Sequence, residues 1–302
     1  MQLKSIIVGV DGSPESATAA ALAQALAGRT GGICHLVHAV SRFALPGSLA
    51  AIATGSRMPA QHERAKLERS LRTSLREVVP EETLGQLEVE SGRPPVVLRE
   101  AATRHGADLV VVGAKHRTVM TRPFAASIVP YLIRTLDVPL LLAGSSSLVP
   151  RRVLMAVDHS PVAPTVLRAG VEFARRVGAS ARAVFALEEH EAAIPEPGTV
   201  IPADTALADA ERSALEHLIA EYAPEVEHSL WTGRPADAIV AEAAAWSADL
   251  IVVGSHGKGW ADRLLIGSTT ERLAADAPTA ILVLPAAAVL ATAPAAAAVG
   301  AS

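Results

Sequence analysis

The sequence predicts an α/β protein of two tandem three-layer domains, each a mostly parallel sheet with helices on both faces. Three observations lead there. The first is internal repetition: Ser91-Gly92-Arg93-Pro94 returns 141 residues on as Thr232-Gly233-Arg234-Pro235, and Ala107-Asp108-Leu109-Val110-Val111-Val112-Gly113 returns at the same spacing as Ala248-Asp249-Leu250-Ile251-Val252-Val253-Gly254. Upstream, Val8-Gly9-Val10-Asp11-Gly12-Ser13-Pro14 answers to Met155-Ala156-Val157-Asp158-His159-Ser160-Pro161 at a spacing of 147, so a small insertion separates the two blocks. Correspondence over this much chain marks a duplicated unit. The second observation is the short runs of Val, Ile and Leu without polar alternation, the pattern of parallel strands covered on both faces. The third is length: 302 residues suit two domains that each bury a core, at roughly 100–200 residues per domain.

In the first unit the apolar runs predict strands over Ser5–Val10, Ile33–Val40, Gln86–Glu90, Asp108–Gly113 and Val138–Ala143. Helical patterns fall between them at Pro14–Ala27, Gln61–Val79, Pro95–His105 and Ser127–Leu136. In the second of these helices Leu67, Leu71, Leu75 and Val78 recur on one face at helical spacing. The second unit repeats the order, with strands near Arg152–Val157, Ala181–Leu187, Val226–Leu230, Asp249–Gly254 and Thr279–Leu284. The joint falls near the small, polar Gly144-Ser145-Ser146-Ser147. Domains are therefore expected over 1–146 and 147–286, followed by a disordered Ala/Pro tail over 287–302.

Composition narrows the function. Hydrophobic residues make up 50% and charged residues 19%, as in a globular protein, and the net charge of −4 gives no attraction to a polyanion. Aromatic residues are only 3%, too few for base-stacking platforms, so no nucleic-acid partner is expected. Cys34 is the only cysteine and lies in the apolar run Ile33-Cys34-His35-Leu36-Val37, which excludes an intrachain disulfide and favours a core thiol. The stretch from Ala277 to Ser302 carries no charge, but Pro278, Pro285 and Pro294 interrupt it, and a final strand plus tail is expected there instead of a membrane span. The N-terminal apolar run before Asp11 is too short for a signal peptide, so a cytoplasmic chain without membrane contact is expected.

The chemistry concentrates near the C-terminus. The run Leu250-Ile251-Val252-Val253 leads into Gly254-Ser255-His256-Gly257, then nine residues, then Gly267-Ser268-Thr269. A buried strand, a glycine-rich loop and a Gly-Ser-Thr helix start suit a phosphate chain, because only glycine lets backbone N–H groups close on an anion without a Cβ in the way. A P-loop would need Ser or Thr after Gly257-Lys258, where Gly259 stands, and a dinucleotide fingerprint would need other spacing after a first strand. Asp158 ends the first strand of the same unit. If the first and fourth strands are neighbours, Asp158 and the glycine loop face each other at a switch point. The carboxylate then suits ribose hydroxyls or an adenine amino group, and the helix start suits phosphates. A plain reading, in which Ser268 caps a helix and the glycines only turn a loop, needs neither three glycines nor this spacing.

The pattern G-x-x-G, nine residues, G-[ST] resembles the ATP-binding signature of universal stress proteins, and both units resemble domains of that family in the opening Asp-x-Ser, the [TS]-G-x-P before the third helix and the A-D-L-[IV]-V-V-G strand. The resemblance covers nearly the whole chain. It implies a five-stranded parallel sheet ordered 3-2-1-4-5 in each domain and ATP as cofactor, with Mg²⁺ as an optional companion. Carried over, the binding positions are Asp158, Ala186 beside the adenine, Gly254, Gly257, Gly267, Ser268 and Thr269. The first unit departs from the pattern. Gly113 stands, but His116 and Ala126 occupy the next two glycine positions, so nucleotide binding is expected in the second unit only. Lys115-His116-Arg117 reads as a solvated basic loop, Glu188-Glu189-His190-Glu191 lacks metal-site spacing, and no metal site is expected.

These readings imply an adenine-nucleotide-binding regulatory or stress-response protein with an unidentified protein partner, paired units resembling a fused dimer with a homodimer of the whole chain as a further option, and no catalytic residues: no general base or carboxylate pair accompanies the cradle. Two alternatives stay open. One is a slow ATP hydrolase or other adenine-nucleotide enzyme; the other is a partner-binding scaffold without nucleotide turnover.

Overall fold

The computed structural model of the chain describes residues 1–40, 61–114, 128–145, 148–187, 205–255 and 266–285. Among the described residues ten strands form one sheet: β1 (Ser5–Gly9), β2 (Ile33–Val40), β3 (Glu88–Ser91), β4 (Leu109–Gly113), β5 (Leu140–Ala143), β6 (Arg152–Val157), β7 (Ser180–Leu187), β8 (Glu227–Thr232), β9 (Leu250–Gly254) and β10 (Ala280–Leu284). Their order is β3-β2-β1-β4-β5-β10-β9-β6-β7-β8. Each half is therefore a parallel sheet ordered 3-2-1-4-5, as expected. The halves join where β5 and β10 run antiparallel, with Leu142 opposite Ile281, Leu141 opposite Leu282 and Leu140 opposite Val283. Each half's last strand thus covers the other's sheet edge, which would otherwise be an apolar template for pairing with another chain.

Alternation along the strands divides the interior in two. On one face Ile6, Val8, Leu109, Val111, Leu141, Val153, Met155, Leu250, Val252 and Leu282 pack with residues of the helices Pro14–Thr30 and Ala163–Val177. On the other, Ile7, Val110, Leu140, Leu154, Ile251 and Val283 pack with the helices Pro94–Arg104, Ile128–Thr135, Pro235–Ala245 and Ser268–Asp276. Both cores run unbroken across the β5–β10 seam. The first face is also bridged by Arg29, whose Nη1 donates to the carbonyl of Val177 at 2.8 Å. Cys34 is buried in that face, and the loss of solvent pushes its thiol up to about 12.

Strand and helix identities match the sequence patterns, with differences at the ends. β3 begins at Glu88 instead of Gln86, because a short helix, Glu81–Gly85, precedes it and keeps the next two amides: Gln86 N–H donates to Thr83 O and Leu87 N–H to Leu84 O. The helix from Gln61 ends at Leu75, where the N–H groups of Val78 and Val79 both turn back to the Leu75 carbonyl ahead of Pro80. The expected tail over 287–302 lies outside the described residues. Among described residues no helix is long and apolar enough to cross a membrane.

Candidate functional site

Topology alone creates a crevice in each half. β1 lies between β2 and β4, and β6 between β7 and β9, so the strand order reverses at the central strand, which is where open α/β sheets form a ligand crevice. In the second half the ladder between β6 and β9 stops at Met155 opposite Val252, one step earlier than its counterpart in the first half, which runs to Gly9 opposite Val112. Continued past Met155, the same register brings Asp158 to the rim just beyond the level of Gly254.

Two bonds pin the helix Ser268–Asp276 to the end of β9, and a third ties that end to β10. The hydroxyl of buried Thr270 donates to the carbonyl of Gly254 at 2.7 Å, the N–H of Gly267 donates to Ser255 O at 3.0 Å, and the N–H of Ser255 donates to Leu284 O at 2.8 Å. Ser255 and Gly267 are therefore neighbours, and Gly254, Gly267, Ser268 and Thr269 are brought together. Gly267 is the residue before the helix, with φ −59° and ψ 135°, and its carbonyl accepts from Glu271 N–H at 2.9 Å. Ser268 is exposed and stands inside the first turn, so it is not the cap of this helix. Because Gly267 N–H is committed to Ser255, any anion at this end would meet the N–H groups of the following first-turn residues, which have no intrahelical acceptor.

Across the crevice Asp158 is anchored. Its Oδ1 accepts from the backbone N–H of Ser160 at 3.0 Å and from the Ser160 hydroxyl. Asp11 makes the same pair of contacts with Ser13 in the first half, so the arrangement is a property of the duplicated turn. The chain beyond it is not the same. In the first half Gly12 takes φ +80°, Ser13 caps the helix through a bond from Ser16 N–H, and the helix starts at Pro14. His159 stands at the position of Gly12 and avoids positive φ, no side chain caps the following helix, and that helix starts at Ala163 instead of Pro161. The second crevice thus has a longer irregular segment beside its carboxylate. The His159 ring reaches over the crevice wall to meet Phe185 edge-on, with centroids 4.6 Å apart, next to Ala186 near the end of β7.

Asp158 and Ala186 thus lie on the β6–β7 side, while Gly254, Gly267, Ser268 and Thr269 lie on the β9 side. Gly257 falls outside the described residues, as do His116 and Ala126 of the first half. Sequence reasoning missed Thr270. Its signal was present: at the repeat spacing of 141 the first half carries Val129, which cannot donate the pinning bond.

The duplication, the sheet order and the motif positions can be set against known proteins. The family model described as Universal stress protein family matches twice, over residues 2–143 and 150–285. The chain belongs to the universal stress protein family. A universal stress protein of Mycobacterium tuberculosis is 31% identical over 186 residues, covering 59% of this chain and 61% of that protein, so the match spans less than two thirds of the relative's length. One from Thermus aquaticus is 31% identical over 134 residues, 44% of this chain and 98% of that protein, which is the length of a single half. Among solved structures, a universal stress protein from Archaeoglobus fulgidus aligns with a TM-score of 0.65 at 18% identity, covering 94% of this chain and 99% of its own. A putative universal stress protein from Pseudomonas aeruginosa aligns at 0.60 and 18% identity, covering 96% and 95%. These two alignments support the two-domain fold across both halves.

Proposed function

We propose that this universal stress protein binds ATP in its second half and that the nucleotide acts as a regulatory ligand, not as a substrate turned over at enzymatic rates. The observation that carries the reading is the pinned helix start at the switch point: Thr270 and Gly267 fix the first turn of Ser268–Asp276 beside the end of β9, on the opposite side of the crevice from Asp158. First-turn N–H groups and the positive end of the helix suit phosphate oxygens. The Asp158 carboxylate, oriented through Oδ1, suits hydroxyl or amino donors of a nucleoside. Gly254 and Gly257 would leave room for the phosphate chain, and Ala186 would meet the base through its backbone. Mg²⁺, where present, would travel with the phosphates. Among its described residues the site offers binding groups without a base or carboxylate pair to orient water, which favours a conformational output.

The test is direct. Protein purified without added nucleotide, then denatured, should release an adenine nucleotide identifiable by mass spectrometry, and calorimetric titration of the stripped protein should give one site per chain. Two equal sites, or no binding by any adenine nucleotide, would overturn the assignment. Steady turnover on the order of 1 per second or more, lost on Gly257→His, would favour the hydrolase reading instead.

A further inference from the structure

At the opposite end of the first half, away from the crevice, the fold assembles three groups that are far apart in sequence. His35 comes from β2, Glu88 from the start of β3, and His105 from the end of the helix Pro94–Arg104. The register explains the meeting. Val37 lies opposite Glu88, so His35, two residues before Val37, points to the same face of the sheet, and that face is the one covered by the helix ending at His105. The two imidazoles stack with centroids 4.0 Å apart and planes 26° apart, and His105 Nε2 lies 2.7 Å from Glu88 Oε1. One ligand atom from each of the three residues lies within 4.8 Å of the others, and all three residues are partly exposed.

We propose that His35, Glu88 and His105 form a binding site for a borderline divalent transition metal, with Zn²⁺ as the reference ion. Two imidazoles and one carboxylate form a donor set that such ions favour over Mg²⁺ or Ca²⁺, and three protein ligands leave a fourth position for water. Tetrahedral ligation at about 2.1 Å puts donor atoms about 3.4 Å apart. The cluster therefore needs only small changes: the His105–Glu88 pair opens slightly, and one ring swings out of the stack so that both nitrogen lone pairs converge. Partly exposed side chains allow both.

The neighbours fit this use. Arg104 brings a positive charge close, but its Nη2 bonds the other oxygen of Glu88 at 2.7 Å and also holds Glu90, so it fixes the carboxylate while leaving Oε1 toward the rings. A partner that orients a ligating carboxylate is what a metal ligand needs. The second half acts as an internal control. Register places Arg182 where His35 stands and the repeat places Trp246 where His105 stands; there Arg182 stacks on the Trp246 ring, 4.9 Å from its centroid, and bonds Glu227 and Glu242. At the repeat spacing Ser229 replaces Glu88. None of the three ligands is retained, so one site per chain is expected, not two.

The experiment uses the full, tag-free chain titrated with Co²⁺, whose visible absorption reports ligation, followed by displacement with Zn²⁺. One saturable Co²⁺ site per chain is expected, lost to Zn²⁺, and weakened at least tenfold by His35→Ala, by His105→Gln and by Glu88→Gln. His217→Ala, at an exposed position of the helix Thr205–Tyr222 in the second half, should leave it unchanged. Circular dichroism of each variant separates loss of ligand from loss of fold, and Glu88→Gln, which keeps the size of the side chain and one acceptor oxygen, serves if a histidine variant fails to fold. Absence of a saturable site, or a site that survives in folded His35→Ala and His105→Gln variants, overturns the proposal.

Discussion

The two halves share one fold and differ at both ends of their strands. At the carboxyl ends, the first half has a left-handed glycine, a capped helix and Val129, while the second has His159, a later helix start and the Thr270 pin. At the amino ends, the first half pairs two imidazoles over Glu88 and the second stacks a permanent cation, Arg182, on Trp246 over a buried glutamate. The strands between have hardly diverged in character, because every residue of β4, β5, β9 and β10 except the terminal glycines is buried and must stay apolar and small enough to pack. Duplication thus freed the strand ends to specialise while the buried middles held the architecture.

The comparison can be broken most severely at the amino ends. Glu242 is buried and accepts from Arg182 at 3.1 Å and from the Trp231 indole at 2.8 Å, so Glu242→Ala removes two partners at once and should cost about 3–5 kcal/mol. Glu88→Ala in the first half, where the partners are more exposed, should cost about 1 kcal/mol. Denaturant melts of the two variants would check the difference, and equal losses would mean that the two ionic layers are equivalent after all.

At the carboxyl ends the expected effect is on binding. Gly257→His should weaken nucleotide affinity on the order of a hundredfold, equivalent to about 2.7 kcal/mol, by placing an imidazole where phosphate would lie. The reciprocal His116→Gly should restore some affinity in the first half if its crevice is otherwise competent. Calorimetry on both variants decides whether the glycine pattern alone sets the asymmetry. Thr270→Val tests the pin: loss of the bond to Gly254 O should destabilise by about 1–1.5 kcal/mol and lower nucleotide affinity, whereas Val129→Ala in the first half should leave nucleotide binding unchanged. Thermal midpoints and titrations read the two effects separately.

The smallest effect concerns one backbone position. Gly106 closes a helix of the first half at φ +55°, and Ser247, its counterpart, holds φ +55° with a side chain. Ser247→Gly should stabilise by about 0.5 kcal/mol, the left-handed strain relieved being partly offset by the greater freedom of glycine in the unfolded chain. Gly106→Ser should destabilise by a similar amount, and a precise denaturation midpoint for each would check the sign.

Much of this was legible in the sequence because burial on both faces leaves an unmistakable record. Leu250 to Val253 could be nothing but an inner strand, and the repeat located its equals. The strand order came with the family resemblance, not from the apolar runs, which do not say which strands adjoin. The candidate crevice was legible as a motif, but its construction was not: Thr270 looked like any helical threonine until Gly254 O was found 2.7 Å away. The later helix start after Asp158 accompanies the change from Gly12 to His159, which does not take the positive φ of Gly12. The His35–Glu88–His105 cluster was hidden for a different reason. Its members come from three elements, and only the pairing of β2 with β3 and the docking of a helix bring them together.

The antiparallel seam between β5 and β10 has a consequence during synthesis. Residue 140 leaves the ribosome well before residue 280, and at roughly 5–20 residues per second the gap is on the order of ten seconds. Through that interval a nascent first half displays Leu140 to Ala143 as an open apolar border, and a neighbouring nascent copy offers the same border. Tethering resolves the competition once β10 emerges, because a covalently linked partner acts at an effective concentration in the millimolar range, far above that of any other chain. Gene fusion of two units therefore replaces a concentration-dependent encounter between halves with an intramolecular one, and makes the order of synthesis part of how the seam forms.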